Sequence, residues 1–291
     1  MIISTNSSSS LIKGWQNFLN QQGFSVGAPD GLWGPHTKEG TEAFQKAHNL
    51  TADGVPGPAT LAEAEKLGFI TPTVASSFNI PGTTNSIFDI SHHNADVDFK
   101  AAKAAGMQAV FQKATQYTSF IDGTYADRKK DAIAEGLLWG AYHFGAAGDG
   151  SAQADYFLDT AQPNGDTLLV LDFERDTVKG QSTMPLADAH AFINRIQEKT
   201  GKLPGLYGGS YLKSLVQSKE DTLLSQCWLW LADYRNTPSL PNGWTNYTFW
   251  QYTDGKHGPG AIPVTGVGAC DRDLFAGDAE SLINFWKEHQ V

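Results

Sequence analysis

The sequence predicts an α/β protein: a modified (β/α) barrel of eight strands with fewer than eight helices, preceded by a small N-terminal domain of three helices. Three observations carry this. After residue 86 short strand-like runs alternate with helical ones, the pattern of a parallel sheet with helical crossovers, and eight strand candidates can be counted. In the final third CWLWLADY, YTFWQYT and GACDRDLF are separated by loops instead of convincing helices, so the helical ring is incomplete. The first 70 residues, by contrast, show helical spacing alone and run into a stretch rich in Thr, Ser, Pro and Gly. An open doubly wound sheet would also fit the alternation, but no GxGxxG follows the first strand, so nothing invites a dinucleotide.

In LIKGWQNFLNQQGF the apolar residues Trp15, Phe18 and Leu19 recur at helical spacing, as do Phe44 and Ala47 in KEGTEAFQKAHNL. A third short helix, ATLAEAEKLG, ends at Gly68. Between the helices, DGLWGPHT at residues 30–37 recurs as DGVPGPAT at 53–60, identical at five of eight positions. Each copy reads as an Asp-Gly turn with a Gly free to take positive φ, then Gly-Pro and a Thr suited to start a helix. The uncharged TPTVASSFNIPGTTN at 71–85 reads as a flexible linker. The expected division is therefore 1–70 for the small domain, 71–85 for the linker and 86–291 for the barrel.

Within the barrel, SIFDIS, MQAVFQKA, LLWGAYHFG, TLLVLDFE and LPGLYGG read as strands, and FKAAKAAG, YADRKKDAIAEG, SAQADYFLDTA and LADAHAFINRIQEKTG as helices. The strand TLLVLDFE ends in Asp172 and Glu174. Side chains alternate across a strand, so positions two apart emerge on the same side. Acids also mark other strand ends: Asp89 in SIFD, Asp233 after WLWLA, and Asp271 and Asp273 in the last strand. In a barrel these ends converge on one face. Buried acids without partners or a task are costly, so their coincidence points to chemistry.

Paired carboxylates serve glycoside hydrolysis, one acid protonating the departing oxygen while another group stabilises or captures the oxocarbenium-like centre. Trp139, Tyr142, Tyr207, Trp230, Tyr234, Trp250 and Tyr252 fall in or just after the strands, where aromatic faces can stack on sugar rings. The adjacent His92 and His93 point oppositely on a strand, so neither a metal nor another cofactor is expected.

Residues 11–70, with GAPDGLWGPHT and FQKAHNLTADGVPGPAT, resemble the three-helix peptidoglycan-binding domain of cell-wall enzymes. Residues 86–291 resemble the family 25 glycoside hydrolases, lysozymes that cut bacterial peptidoglycan. FDISHHN, FQKAT, GLLWGAYHF, SAQADYFL, LVLDFE, TGKLPGLYGG, WLWLADY, FWQYT and CDRDLF occur in the family's order. The resemblance implies Glu174 as general acid, Asp172 as its catalytic partner, and Asp89 and Asp271 as further acids of the pocket. The substrate-binding set expected from these stretches is Lys113, Tyr142, Tyr207, Asp233, Tyr234, Trp250 and Gln251. Two positions depart from the family pattern: Gln116 stands where an acid is usual after KAT, and Asp273 where an amide is usual.

The reaction so implied is hydrolysis of the β-1,4 bond between N-acetylmuramic acid and N-acetylglucosamine. A raised pKa would let Glu174 hold its proton while Asp172 stays ionised. The spacing leaves open whether Asp172 attacks the sugar or supports attack by the substrate's own N-acetyl group. A wall-binding protein without catalysis is the competing class; a chitinase-like barrel is disfavoured because the run DGxDxDxE is absent.

The charge balance narrows the partners. Of the net charge of -10, the first 85 residues carry 4 basic against 6 acidic residues and the rest 17 against 25, with no dense Lys/Arg run, which disfavours nucleic acid. Cys227 and Cys270 are expected as buried free thiols. MIISTNSSSS lacks the features of a signal peptide, and no apolar span suits membrane insertion. The missing export signal suggests a phage endolysin made in the host cytoplasm and acting on the cell wall, with a bacterial autolysin using another export route as the alternative, and a monomer is expected.

Overall fold

The computed structural model describes residues 3–4, 9–69, 78, 80–178, 180 and 182–291. The three N-terminal helices and the nine-stranded sheet belong to two separate compact units.

The first unit packs α1 (Ser9–Gln21), α2 (Pro35–Ala47) and α3 (Pro58–Lys66) around an aromatic core of Trp15, Phe18, Phe44 and Phe69. Ala47, expected on the apolar face, lies at the solvent side. The sequence echo turns out to be one device used twice. In the first copy the buried Gln16 of α1 donates to Asp30, to the Leu32 carbonyl and to Thr37, and accepts from Gly31 N–H. In the second, Gln45 of α2 donates to Asp53, to the Val55 carbonyl and to Thr60, and accepts from Gly54 N–H. Gly31 and Gly54 take φ of 77° and 71°, which a side chain would oppose. The threonines do not start the helices as expected. Pro35 and Pro58 take the first helical turn, where a missing N–H costs nothing, and each Thr hydroxyl faces its glutamine.

In the second unit β1 (Thr84–Ile90), β2 (Ala109–Gln116), β4 (Leu138–Phe144), β5 (Thr167–Asp172), β6 (Gly205–Gly208), β7 (Leu229–Ala232), β8 (Phe249–Thr253) and β9 (Asp271–Phe275) close into an eight-stranded barrel. All neighbours are parallel except β9, which runs antiparallel to both β8 and β1. A two-residue strand, β3 (Phe120–Ile121), forms a hairpin on β2. Six helices accompany the barrel among the described residues: α4 (Phe99–Ala104), α5 (Tyr125–Ala134), α6 (Gly150–Ala161), α7 (Leu186–Thr200), α8 (Ser210–Val216) and α9 (Ala279–His289). The parallel strands are buried on both faces, as β5 shows with six buried residues of six.

Alternation divides these residues into two cores. One face of each strand packs under the helices, with Leu169, Leu171, Phe192 and Ile193 among the buried residues. The other fills the barrel with Ile87, Phe111, Leu168, Val170, Trp230 and Phe249. A Cβ at Gly140 would lie 2.0 Å from the Phe111 ring, so only glycine leaves that ring its place. Helix α9 closes the amino end of the barrel: Trp286 is fully buried and its indole donates to the Trp139 carbonyl. The open end is therefore the carboxyl end of the parallel strands.

The expected linker lies outside the described residues up to residue 77 and at residue 79. Its last part belongs to the barrel instead. Phe78 packs on Trp250 and Tyr252 at ring separations of 5.4 and 4.9 Å, and β1 already begins at Thr84.

Candidate active site

At the open end a cleft of about 260 Å³ is lined by Asp89, Tyr142, Asp172, Glu174, Tyr207, Trp230, Tyr234, Gln251 and Asp271. The topology explains the convergence. Asp89, Tyr142, Asp172, Tyr207 and Gln251 are inward-facing residues near the carboxyl ends of five parallel strands. Asp271 starts β9; because that strand is reversed, its first residue meets the same end, in register with Asp89. Glu174 follows β5 by two residues.

Gln251 ties the floor together. Its amide donates to Asp89 at 2.8 Å, while its carbonyl oxygen accepts from the Tyr207 and Tyr234 hydroxyls at 2.8 and 2.9 Å. Both lone pairs of that oxygen are thus used. Trp230 forms the bottom, edge-on to Tyr207 at 4.9 Å, and its indole N–H donates to Asp273 at 2.7 Å. Asp273 itself is fully buried beneath the cleft.

Burial sets the electrostatics. It pushes Glu174 up to about 7, with Asp271 and Asp176 adding to the effect and Lys113 opposing it. Asp172, only 6% exposed, is raised well above the ordinary carboxylate range by burial and then by Glu174, again against Lys113. Burial likewise raises Asp89, helped by Asp271 and Asp273, and brings Asp271 to about 6. Four acids in one hollow cannot all be charged. Asp172 is the more deeply buried of the two acids, so a charge on it needs support from neighbouring groups. Tyr142, Tyr207 and Tyr234 are held up by burial and by the acids, so their hydroxyls remain neutral donors.

Three members of the expected substrate-binding set lie off the cleft lining. Trp250 is fully buried on the outer face of β8, and its indole N–H donates to the Asp233 carbonyl at 2.6 Å. Asp233 is turned away into ion pairs with Lys213 and Arg235, which hold its carboxyl well below the usual range against the pull of burial. Strand alternation explains both: Trp250 neighbours the inward Gln251, and Asp233 lies just past the end of β7. Lys113 is half-buried, with its ammonium donating to Gln116 at 2.6 Å. Of the other aromatic candidates, Trp139 and Tyr252 are core residues. His92 pairs with Asp122 at 3.0 Å, and among the described residues no cluster of metal-ligating side chains forms. Cys227 and Cys270 are both buried and free.

An acid-lined cleft at the open end of such a barrel defines a hydrolase of the glycosidase class. Residues 88–261 match glycosyl hydrolases family 25, and residues 8–63 match the peptidoglycan binding domain. The chain belongs to glycosyl hydrolases family 25 and carries a peptidoglycan binding domain ahead of the barrel. It is 30% identical over 211 residues to the N,O-diacetylmuramidase of Arthroderma benhamiae, covering 69% of this chain and 86% of that one. Lysozyme M1 of Streptomyces globisporus is 29% identical over 221 residues, or 70% and 72% of the two chains. The structure of the muramidase from Acremonium alcalophilum superposes with a TM-score of 0.59 at 30% identity, over 69% of this chain and 98% of that one.

Proposed function

We propose that the protein is an N-acetylmuramidase that hydrolyses the β-1,4 bond between N-acetylmuramic acid and N-acetylglucosamine in bacterial peptidoglycan. The observation that carries the reading is the meeting of Asp172 and Glu174 in a cleft that also holds Asp89 and Asp271. Glu174, raised by burial to about 7, keeps its proton to neutral pH and gives it to the departing glycosidic oxygen. Asp172 stabilises the positive charge at the anomeric carbon. Its Oδ1 is buried without a hydrogen-bond partner among the described residues, a group ready to accept from the substrate's acetamido N–H. This favours attack by the N-acetyl oxygen, with Asp172 orienting and charge-stabilising that group. A covalent sugar adduct trapped on Asp172 would overturn that part. Asp89 and Asp271, bonded to Gln251 and Tyr234, keep the opposite wall polar, and Tyr142, Tyr207 and Tyr234 offer hydroxyls and ring edges to the sugars.

Glu174→Gln removes the proton donor while preserving size. Release of reducing ends from purified peptidoglycan is expected to fall by at least about 100-fold, with folding unchanged; near-normal release would refute the assignment.

For its biological setting we propose a monomeric phage endolysin whose N-terminal domain holds the barrel on the wall. The pairing of a wall-binding domain with a muramidase barrel supports this, although the relatives named above are bacterial and fungal. A gene neighbourhood without phage lysis genes would count against it, and light scattering in solution tests the monomer.

A further inference from the structure

Lys113 lies on β2 two residues after Phe111, an interior side chain, so strand alternation aims it into the barrel. It pairs in register with Tyr142 of β4, and Phe144, two residues further along that strand, is the register partner of Asp172. The Lys113 ammonium sits 4.9 Å from the Phe144 ring centre and 5.5 Å from that of Phe120. Its hydrogen-bond acceptor is the carboxamide of Gln116, at 2.6 Å. Among the described residues no carboxylate lies within 4.0 Å of it. A cation is thus fixed beside the acid pair by groups that do not neutralise it.

We propose that Lys113 is a positioning residue that acts through its charge: held by Gln116 and two aromatic faces, it allows the Asp172–Glu174 pair to carry one negative charge inside the cleft. The proposal rests on the reading of that pair as the catalytic acids. In a medium of low polarity a single cation at this range outweighs what it could do in water. Both acids are pushed up by burial, and Lys113 is the group that opposes the rise at each. The groups facing the ammonium are Asp122 beyond β3, His143 on β4, Asp172 ending β5, and Glu174 and Asp176 in the segment after it; Tyr117 on its own hairpin bonds Asp176. Burial lowers the Lys113 pKa, and the surrounding carboxylates, Asp172 first, oppose that fall. Gln116 is the detail on which this arrangement depends: its carboxamide holds the ammonium without opposing its charge. A glutamate in its place would form an ion pair with Lys113 and cancel most of the field that reaches the acids.

The test is the pH profile of kcat/KM on purified peptidoglycan for the full chain and for Lys113→Met, Lys113→Arg and Gln116→Glu. The limbs belong to the acids as a pair. Removing a nearby cation makes both acids weaker, so both limbs of the Lys113→Met profile should move upward by roughly one pH unit. Gln116→Glu should move them the same way by less, and Lys113→Arg should leave them in place. Uniform loss of activity with unmoved limbs in Lys113→Met would overturn the proposal. If that variant does not fold or turn over, unmoved limbs in Gln116→Glu would overturn it equally. An active Glu174→Gln would instead overturn the assignment of the acids, a separate failure read from a separate variant.

Discussion

Asp273 makes the sharpest prediction about stability. It lies in β9 beneath the cleft, fully buried, with Oδ1 bonded to the Trp230 indole and Oδ2 without a hydrogen-bond partner among the described residues. Burial, reinforced by Asp271 and opposed by Trp230 and Arg272, raises its carboxyl from an ordinary 3.8 to about 8. Between these two values the unfolded chain has released the proton and the folded chain keeps it. The unfolded state binds fewer protons there, so stability falls as pH rises through the window and levels off above about 8. At about 1.4 kcal/mol per pH unit, the full span amounts to on the order of 5 kcal/mol, an upper figure because water entering on ionisation lessens it. Asp273→Asn keeps an acceptor for the indole and has nothing to titrate. The melting temperature of the barrel, followed by near-ultraviolet circular dichroism from about pH 4.5 to 8.5, should therefore decline less steeply in the variant. The gap between the two proteins should widen by about 10 °C across the range, given roughly 2–4 °C per kcal/mol for a unit of this size. Buried acids that do not feel Asp273 titrate alike in both proteins and cancel in the difference. Asp89, which Asp273 helps to raise, is eased in the variant and adds to the same trend. Parallel curves would refute the argument, since they would mean that Asp273 is as acidic folded as unfolded.

Two further outcomes follow from the small unit. Gln45→Ala removes four hydrogen bonds from a buried loop and should cost that unit about 2–4 kcal/mol, read as an early first transition in calorimetry; a single unshifted melt would show that the clamp is dispensable. Removing residues 1–74 should reduce activity on whole walls far more than on soluble glycan chains, because tethering raises local concentration only at an insoluble polymer. Equal loss on both substrates would mean that the unit supports the barrel's folding instead. A cut at residue 85 would be a poor version of this experiment, since it discards Phe78 and the start of β1.

The barrel and the acid pair were legible because period and position coincide. The run TLLVLD can only be a doubly buried strand, and acids placed two apart at its end must emerge together. The reversed β9 was not legible: no local feature of CDRDLF states its direction, yet that reversal is what brings Asp271 to the open end beside Asp89. Helices α8 and α9 escaped notice among the late loops, although Leu282 and Trp286 of α9 plug the barrel. Trp250 and Asp233 were expected as substrate contacts because an aromatic in a strand and an acid just after one suit a sugar site, and both stand in the stretches that carry the resemblance. A single position along a strand reverses the face, and the motif alone does not say which neighbour turns in. Lys113 and Gln251 were visible as residues, while their tasks depend on partners up to 162 positions away. The glutamine clamps were not legible as clamps for a similar reason: Gln45 stands in FQKAHNLTADGVPGPAT, but the echo marks only the loops, and the glutamines that grip them sit in the helix before.

Those clamps bear on how such a chain can grow. Each joins one helix, the loop that follows it and the first turn of the next helix, so the small unit is a row of tiles, every tile carrying its own latch. The last helix, Pro58–Lys66, contains no glutamine, and the row stops there. Adding another latch-bearing tile would demand nothing new of the loops and would ask only that the aromatic stack be carried one layer further.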